Sequence, residues 1–187
     1  WVVVTLVMGL VVGGINGIMV TWLRVPALVT TIGVNSLMLG ATMYFSGGFA
    51  QQVPQPLNDF GLARLFGIPS TVFVMVLFTA GVAFVLSRTS IGRRFIATSV
   101  NPGAAVAVAI RLDNYRLATY ALAGFCYAAA GVLFSGYVLS PTVNCGLPYM
   151  LATIAAVVIG GNSIGGGQRG SVVATVIGAL FLTYLGQ

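Results

Sequence analysis

The sequence predicts an all-α integral membrane protein, a polytopic bundle of about six transmembrane or partly re-entrant helices. Of its 187 residues, 58% are hydrophobic and only 5% are charged, whereas an ordinary soluble domain has roughly 25% charged residues. Its mean hydropathy is +1.04. The apolar residues come in runs of membrane length, and all seven prolines lie between these runs or at their starts. A missing N–H is tolerated best at such positions.

Four apolar runs are long enough to cross the bilayer, which takes about 20 residues for roughly 30 Å of hydrocarbon. They are residues 2–22, 26–45, 70–87 and 117–140. Two further runs, 147–161 and 171–186, are marginal, since 15 residues of helix extend only about 22 Å. We therefore expect 147–161 to be broken, re-entrant or extended through the glycines that follow it.

Small residues repeat along one side of the first span. Gly9, Gly13 and Gly17 recur every four residues and predict a ridge that lets a second helix backbone come close. Gly124 and Ala128 form a weaker version of this pattern in the fourth span. These are packing signals.

The distribution of arginine predicts the orientation. Five of the eight arginines fall within residues 88–116, and cytoplasmic loops carry an excess of basic residues. If that window is cytoplasmic, Arg24 and Arg169 lie on the same side and Arg64 lies outside. The connections 46–69 and 141–146 are then the external loops.

The residue types present exclude most catalytic chemistry. The chain has no His, Glu or Lys, and its acids are Asp59 and Asp113. It therefore lacks paired carboxylates, a triad and a metal-ligand cluster, and we expect no catalytic, cofactor or metal site and no enzyme activity. Its basic groups are separated by spans, so nucleic-acid binding is not expected. Cys126 in a span and Cys145 in a loop are expected to be free.

Polar residues in the spans and glycines after the fifth run are the candidates for lining a solute pathway. They are Asn16, Thr31, Asn35, Ser36, Gly160, Gly161, Gly165 and Gly166. The polar side chains either line a path for a hydroxyl-rich solute or form interhelical hydrogen bonds worth about 0.6 kcal/mol each. The glycines either form a turn or belong to a broken helix beside the pathway. The spans carry no charge, which argues against proton or ion coupling.

The glycine-rich stretch 160–170 is not a nucleotide site. A phosphate-binding loop needs Lys followed by Ser or Thr after a strand, and here Gln168 follows the glycines. The basic window 88–116 contains a different signal. Asn101-Pro102 starts a short apolar Ala/Val helix, of the kind that packs into a groove on a partner.

Several short motifs follow one another along nearly the whole chain. They are Arg24-Val25-Pro26-Ala27, Thr31-Ile32-Gly33, Ser46-Gly47-Gly48, Gly92-Arg93, Asn101-Pro102 with Ala104-Ala105 and Ile110, Tyr120-Ala121-Leu122-Ala123-Gly124 with Ala130-Gly131, Ile154-Ala155-Ala156-Val157-Val158-Ile159-Gly160-Gly161 with Ile164-Gly165-Gly166-Gly167, and Gly178-Ala179. In this order and spacing the sequence resembles the permease subunits of bacterial ABC sugar importers of the ribose, xylose and autoinducer-2 type.

The resemblance implies a multi-pass permease of the bacterial cytoplasmic membrane that moves a ribose-like monosaccharide. Its implied partners are a cytoplasmic ABC ATPase subunit, a second permease subunit, an extracytoplasmic sugar-binding protein and membrane lipid. ATP would be hydrolysed on the separate ATPase. Residues 1–187 would form a single permease domain, incomplete at both ends and without roughly the first third and the final helix of the family.

The resemblance also implies that residues 88–116 are a cytoplasmic coupling loop. The implied ATPase-coupling residues are Gly92, Arg93, Asn101, Pro102, Ala104, Ala105 and Ile110. The sequence departs from the family at Gly103 and Val106, where charged residues are common, so an apolar docking groove is expected in place of ion pairs. The alternatives are a permease for branched-chain amino acids, which shares the glycine-rich end, and a membrane scaffold subunit that transports nothing.

Overall fold

A computed structural model of the chain describes residues 1–50, 52–65, 67–100, 103, 112–138, 140–162 and 171–186. Within these residues the chain forms eight helices and one two-stranded sheet. The elements are α1 (Val2–Thr21), α2 (Ala27–Ser46), α3 (Gln55–Leu62), β1 (Arg64–Leu65), β2 (Ile68–Pro69), α4 (Ser70–Arg88), α5 (Ser90–Val100), α6 (Leu112–Val138), α7 (Leu147–Ile159) and α8 (Val172–Leu185). The predicted all-α class is confirmed.

The four long predicted spans correspond to α1, α2, α4 and α6, which are long and apolar enough to cross a membrane. The largest boundary difference is in α6, which begins at Leu112, before the predicted start at 117. Its first turn is polar and contains Asp113, whose negative charge is favourable near the positive end of the helix dipole. Hydropathy alone misses such a turn.

The two marginal runs form helices that are shorter than the bilayer core. α7 has 13 residues and α8 has 14, and at 1.5 Å per residue each extends only about 20 Å. Pro148 lies in the first turn of α7, as predicted. Whether α7 spans the membrane or re-enters it stays a prediction.

The chain divides into two compact units. The first contains Trp1–Val74 and Asp113–Val143, and the second contains Met75–Leu112 and Asn144–Gln187. The elements of the first unit are α1, α2, α3, the small sheet, the start of α4 and nearly all of α6. The second unit contains the rest of α4 together with α5, α7 and α8. The single permease domain expected over 1–187 stays a prediction.

In the first unit, the glycine ridge of α1 packs directly on α6. A Cβ atom at Gly13 would lie 3.1 Å from the Cα atoms of both Ala121 and Gly124. One at Gly9 would lie 2.6 Å from the carbonyl oxygen of Gly124 and would collide with Cβ of Ala128. The predicted ridge is confirmed, and small residues on both helices allow the backbones to touch.

The predicted external loop 46–69 contains structure that the sequence did not reveal. Pro56 lies in the first turn of α3, and β1 and β2 pair antiparallel. Ser70 closes this segment, because its N–H donates to the carbonyl oxygen of Ala63 at 2.9 Å and its hydroxyl donates to that of Phe60. The sequence did not reveal α3 because this helix has only eight residues, far fewer than the about 20 apolar residues by which a membrane span is recognised.

In the second unit, α5 packs against the last turn of α4. A Cβ atom at Gly92 would lie 2.6 Å from Cα of Leu86, so only glycine fits at this contact. The hydroxyl of Thr89 accepts a hydrogen bond from the Gly92 N–H at 3.1 Å. Both contacts hold the junction between the two helices in a compact turn.

Also in the second unit, α7 and α8 pack closely in antiparallel fashion. A Cβ atom at Gly160 would lie 2.7 Å from the carbonyl oxygen of Ala174, and Gly178 meets the backbone of Ala156. The end of one helix therefore faces the beginning of the other. Glycine on each helix makes this approach possible.

Candidate functional site: an uncharged cavity and a basic helix

The first unit contains a cavity of about 590 Å³ between α1, α2 and α6. Its size is within the roughly 300–1,000 Å³ typical of small-molecule pockets. The lining residues are Thr5, Met8, Gly9, Val12, Gly13 and Asn16 of α1, Thr31 and Met38 of α2, and Thr119, Tyr120, Ala123, Gly124, Tyr127 and Ala128 of α6. The glycine contact between α1 and α6 therefore forms part of the cavity wall.

No lining residue of this cavity carries a charge, and its polar groups are hydroxyls and one amide. The threonines donate to carbonyl oxygens of their own helices: Thr5 to Trp1 at 3.2 Å, Thr31 to Ala27 at 2.9 Å and Thr119 to Tyr115 at 2.7 Å. These bonds use the hydroxyl protons and leave oxygen lone pairs that can accept hydrogen bonds. Most of the cavity surface is apolar, and these few oxygens are the acceptors that it offers to a neutral solute that carries hydroxyl groups.

Asn16 is the most unusual polar group of the cavity. Its Oδ1 is buried and has no hydrogen-bond partner within the described part of the chain. A buried acceptor without a donor costs about 1–3 kcal/mol. Asn16 lines the cavity but its Oδ1 is enclosed, so a solute hydroxyl can satisfy this oxygen only once the side chain rotates toward the cavity.

The structure brings Asn16 and Thr31 together at this cavity and places other pathway candidates elsewhere. Asn35 and Ser36 are exposed and do not line it, and the Ser36 hydroxyl donates to the carbonyl oxygen of Ile32 at 3.0 Å. Gly165 and Gly166 lie outside the described residues. For all of these residues, a role in solute passage stays a prediction.

Gly160 and Gly161 belong to the second unit and end α7. Gly161 has φ +77°, a left-handed conformation that glycine adopts without steric cost. The Gly161 N–H donates to the carbonyl oxygen of Val158 at 2.9 Å, and the Asn162 N–H donates to that of Val157 at 3.2 Å. This pair of bonds is a Schellman motif, so these two glycines form a helix end.

Sequence reasoning missed four polar lining residues, namely Thr5, Thr119, Tyr120 and Tyr127. One signal was available: Tyr120 and Tyr127 are seven residues apart and share a helix face with Gly124 and Ala128. That signal shows which residues share a face but not which helix the face meets. The cavity requires the pairing of α1 with α6, over 100 residues apart in sequence.

Of the candidate coupling loop 88–116 the structure describes residues 88–100, 103 and 112–116, and α5 contains the predicted coupling residues Gly92 and Arg93. Arg93 and Arg94 are exposed on this helix, while Phe95 and Ile96 are half-buried. The guanidinium of Arg93 donates to the hydroxyl of Ser90 at 3.5 Å, and the helix contains no acidic residue. It therefore presents a basic surface. Asn101, Pro102, Ala104, Ala105 and Ile110 lie outside the described residues.

Both cysteines, Cys126 and Cys145, are free, as predicted.

Comparison with known proteins identifies relatives along the entire chain. Residues 1–187 match the family described as "Branched-chain amino acid transport system / permease component". The chain is 33% identical over 184 residues to the autoinducer 2 import system permease protein LsrC of Escherichia coli O9:H4 (strain HS), covering 98% of this chain and 54% of the relative. It is 34% identical over 187 residues to the same-named protein of Shigella flexneri, covering 98% and 54%.

A relative in Yersinia pestis matches to a similar degree. Identity to the autoinducer 2 import system permease protein LsrC of Yersinia pestis (strain Pestoides F) is 35% over 184 residues, covering 96% of this chain and 51% of the relative. The chain thus spans about half the length of the curated relatives it matches. No solved structure matches it.

Proposed function

Because this chain belongs to the branched-chain amino acid transport system / permease component family, we propose that it is the membrane-spanning permease subunit of an ATP-driven importer of a neutral, hydroxyl-rich solute. The chain is part of a multi-pass inner-membrane protein, with four helices long enough to span. The solute class we propose is a ribose-like monosaccharide or a compound similar to autoinducer 2.

The observation that carries the solute class is the uncharged cavity between α1, α2 and α6. It combines hydroxyl acceptors with the amide of Asn16, whose orphaned Oδ1 would accept from a solute once the side chain rotates toward the cavity. A sugar carries several hydroxyl donors, so it can satisfy these acceptors without bringing a charge into the membrane. The printed name of the relatives, an autoinducer 2 import permease, supports the same class.

A branched-chain amino acid is the second candidate, because the family description itself names that solute. Such a solute carries a carboxylate and an ammonium group. Burying either group without a charged or strongly polar partner costs several kcal/mol. None of the residues that line the cavity offers a charge, which favours the neutral solute. A scaffold subunit without transport is the third possibility.

For the energy source we propose a cytoplasmic ABC ATPase that docks on the segment containing α5. Support comes from the exposed Arg93 and Arg94 and from Gly92, which packs on the backbone of α4. A force applied to α5 would therefore reach α4 directly. A second permease subunit and an extracytoplasmic solute-binding protein complete the proposed assembly.

The test of the solute class is uptake by the complete importer, reconstituted in proteoliposomes with its ATPase and binding protein. We expect ATP-dependent uptake of labelled ribose or autoinducer 2 and none of labelled leucine. Uptake of leucine alone would establish the amino-acid alternative. If no labelled solute enters, and deletion of the gene from cells leaves uptake of all three unchanged, the permease proposal is wrong.

The test of docking is Arg93→Glu, with Arg24→Glu as the matched control on a different exposed loop. We expect the first variant to insert normally but to lose stimulation of ATP hydrolysis by loaded binding protein. Normal stimulation in Arg93→Glu would contradict the docking proposal. Ala105→Asp extends the test to the predicted apolar part of the segment.

A further inference from the structure

The side chain of Asn162 connects the end of α7 with the beginning of α8. Its Nδ2 donates to the carbonyl oxygen of Val157 at 3.1 Å and to the hydroxyl of Thr175 at 2.8 Å. Its Oδ1 accepts from the backbone N–H of Ser171 at 3.2 Å. One amide group therefore binds three groups that lie on two helix ends.

The residues that Asn162 binds are themselves fixed on α8. The hydroxyl of Ser171 accepts from the Ala174 N–H at 3.4 Å and caps this helix. The hydroxyl of Thr175 donates to the carbonyl oxygen of Ser171 at 3.1 Å while it accepts from Asn162. Asn162 is thus attached to the ordered first turn of α8.

Capping α7 does not require this side chain. The two backbone bonds of the Schellman motif already end the helix, from Gly161 to Val158 and from Asn162 to Val157. The side-chain bonds to Ser171 and Thr175 reach 9 and 13 residues along the chain. They can only hold the second helix against the first.

We propose that Asn162 is a latch that makes α7 and α8 one rigid hairpin, and that it is a positioning residue for solute passage. The close glycine contacts at Gly160 and Gly178 need the two backbones to stay in register, and the latch fixes that register at one end. The transport part of this inference rests on the proposed function. Rigid movement of a helical element is the usual way in which transporters alternate access.

Hydrogen–deuterium exchange of the assembled importer tests the latch. A membrane hydrogen bond changes an opening equilibrium by about threefold on average. We therefore expect Asn162→Ala, which loses three bonds, to raise amide exchange by about twentyfold, and Thr175→Val, which loses two, by about eightfold. The rise must occur in both the last turn of α7 and the first turn of α8. Asn144→Ala, at an exposed loop position before α7, is the matched control and is expected to leave exchange unchanged.

A rise confined to α7 would show a local cap, and no rise would show no latch; either result overturns the proposal. If the Asn162→Ala importer fails to assemble, amide exchange of the milder Thr175→Val variant decides whether the latch exists.

Solute uptake is measured on the same preparations. We expect it to fall more in Asn162→Ala than in Thr175→Val. Unchanged uptake despite faster exchange would overturn the positioning role. Absence of uptake in the unmodified importer would refute the proposed function, while exchange still decides the latch.

Discussion

The α1–α2–α6 region and the α7–α8 pair both bring helices together through glycine, but their polar side chains differ in how fully they are hydrogen-bonded. Both bring helix backbones together through glycine, at Gly13 in the first region and at Gly160 in the second. In the described part of the chain, every buried side-chain atom without a hydrogen-bond partner lies in the first unit, at Asn16, Thr21, Thr30 and Asn58. In the α7–α8 pair, the amide of Asn162 binds three groups.

The difference separates two uses of polar residues in a membrane protein. A satisfied network such as that of Asn162 stabilises one arrangement of helices. An orphaned group such as Asn16 Oδ1 lowers stability by about 1–3 kcal/mol until something binds it. The proposed solute binding belongs to the first region and the proposed latch to the second. Each of the following substitutions tests one side of this contrast.

The largest expected effect is that of Gly13→Ala in α1. The added Cβ would meet the backbone of Tyr120 and lie 3.1 Å from two Cα atoms of α6, and such overpacking costs about 1–3 kcal/mol. Gly14→Ala is the matched control, because no atom lies within 4 Å of its Cβ position. We expect the free energy of unfolding, measured by SDS titration, to fall only in the first variant. Equal free energies of unfolding for Gly13→Ala and Gly14→Ala would refute the close α1–α6 contact.

The next effect is that of Asn16→Leu, which removes the orphaned acceptor while keeping a side chain of similar size. We expect the free energy of unfolding to rise by about 1 kcal/mol, because an unsatisfied buried group is removed. Solute uptake is expected to fall about tenfold, equivalent to about 1.4 kcal/mol, because the solute loses its acceptor. A less stable variant with full uptake would contradict the binding role.

A smaller effect comes from making the same substitution in both regions. Thr30 is 3% exposed and its hydroxyl has no hydrogen-bond partner among the described residues, so we expect Thr30→Val to raise the free energy of unfolding by about 1 kcal/mol. Thr175 makes two hydrogen bonds, so Thr175→Val is expected to lower it by about 1 kcal/mol at about 0.6 kcal/mol per bond. The free energy of unfolding of both variants is measured by SDS titration. If Thr30→Val and Thr175→Val change it in the same direction, the two regions do not differ as described.

The smallest effect is expected for Asn35→Ala. Its side chain is exposed on α2 and does not line the cavity, and exposed substitutions usually change stability by less than about 0.5 kcal/mol. We expect uptake within about twofold of the unmodified importer, equivalent to less than 0.5 kcal/mol. A strong loss of uptake would move the candidate pathway away from the cavity, toward the exposed face of α2.

The fold could be predicted where it depends on length and composition. Four helices match the long apolar runs because a membrane span needs about 20 apolar residues, and this criterion is local. The polar first turn of α6 and the short helix α3 were missed because neither is apolar or long enough for a hydropathy window. The orientation in the membrane still rests on the arginine distribution.

The candidate site was predictable only in part. Asn16 and Thr31 were found because polar residues are uncommon within spans. Tyr120 and Tyr127 were missed because the cavity depends on which helix packs against α1, and a one-dimensional pattern does not contain that pairing. Asn162 was missed for a related reason, since its partners depend on how the chain returns from α7 to α8.

The short length of α7 and α8 has a consequence for the lipid around them. With 13 and 14 residues, they are about 10 Å shorter than the roughly 30 Å hydrocarbon core. With 20, 20 and 19 residues, α1, α2 and α4 match that core, and α6 with 27 exceeds it. An α7–α8 hairpin that crosses the membrane would present a hydrophobic mismatch that other protein must cover or the bilayer must meet by thinning. In that arrangement a thicker membrane would strain the hairpin more than the long spans.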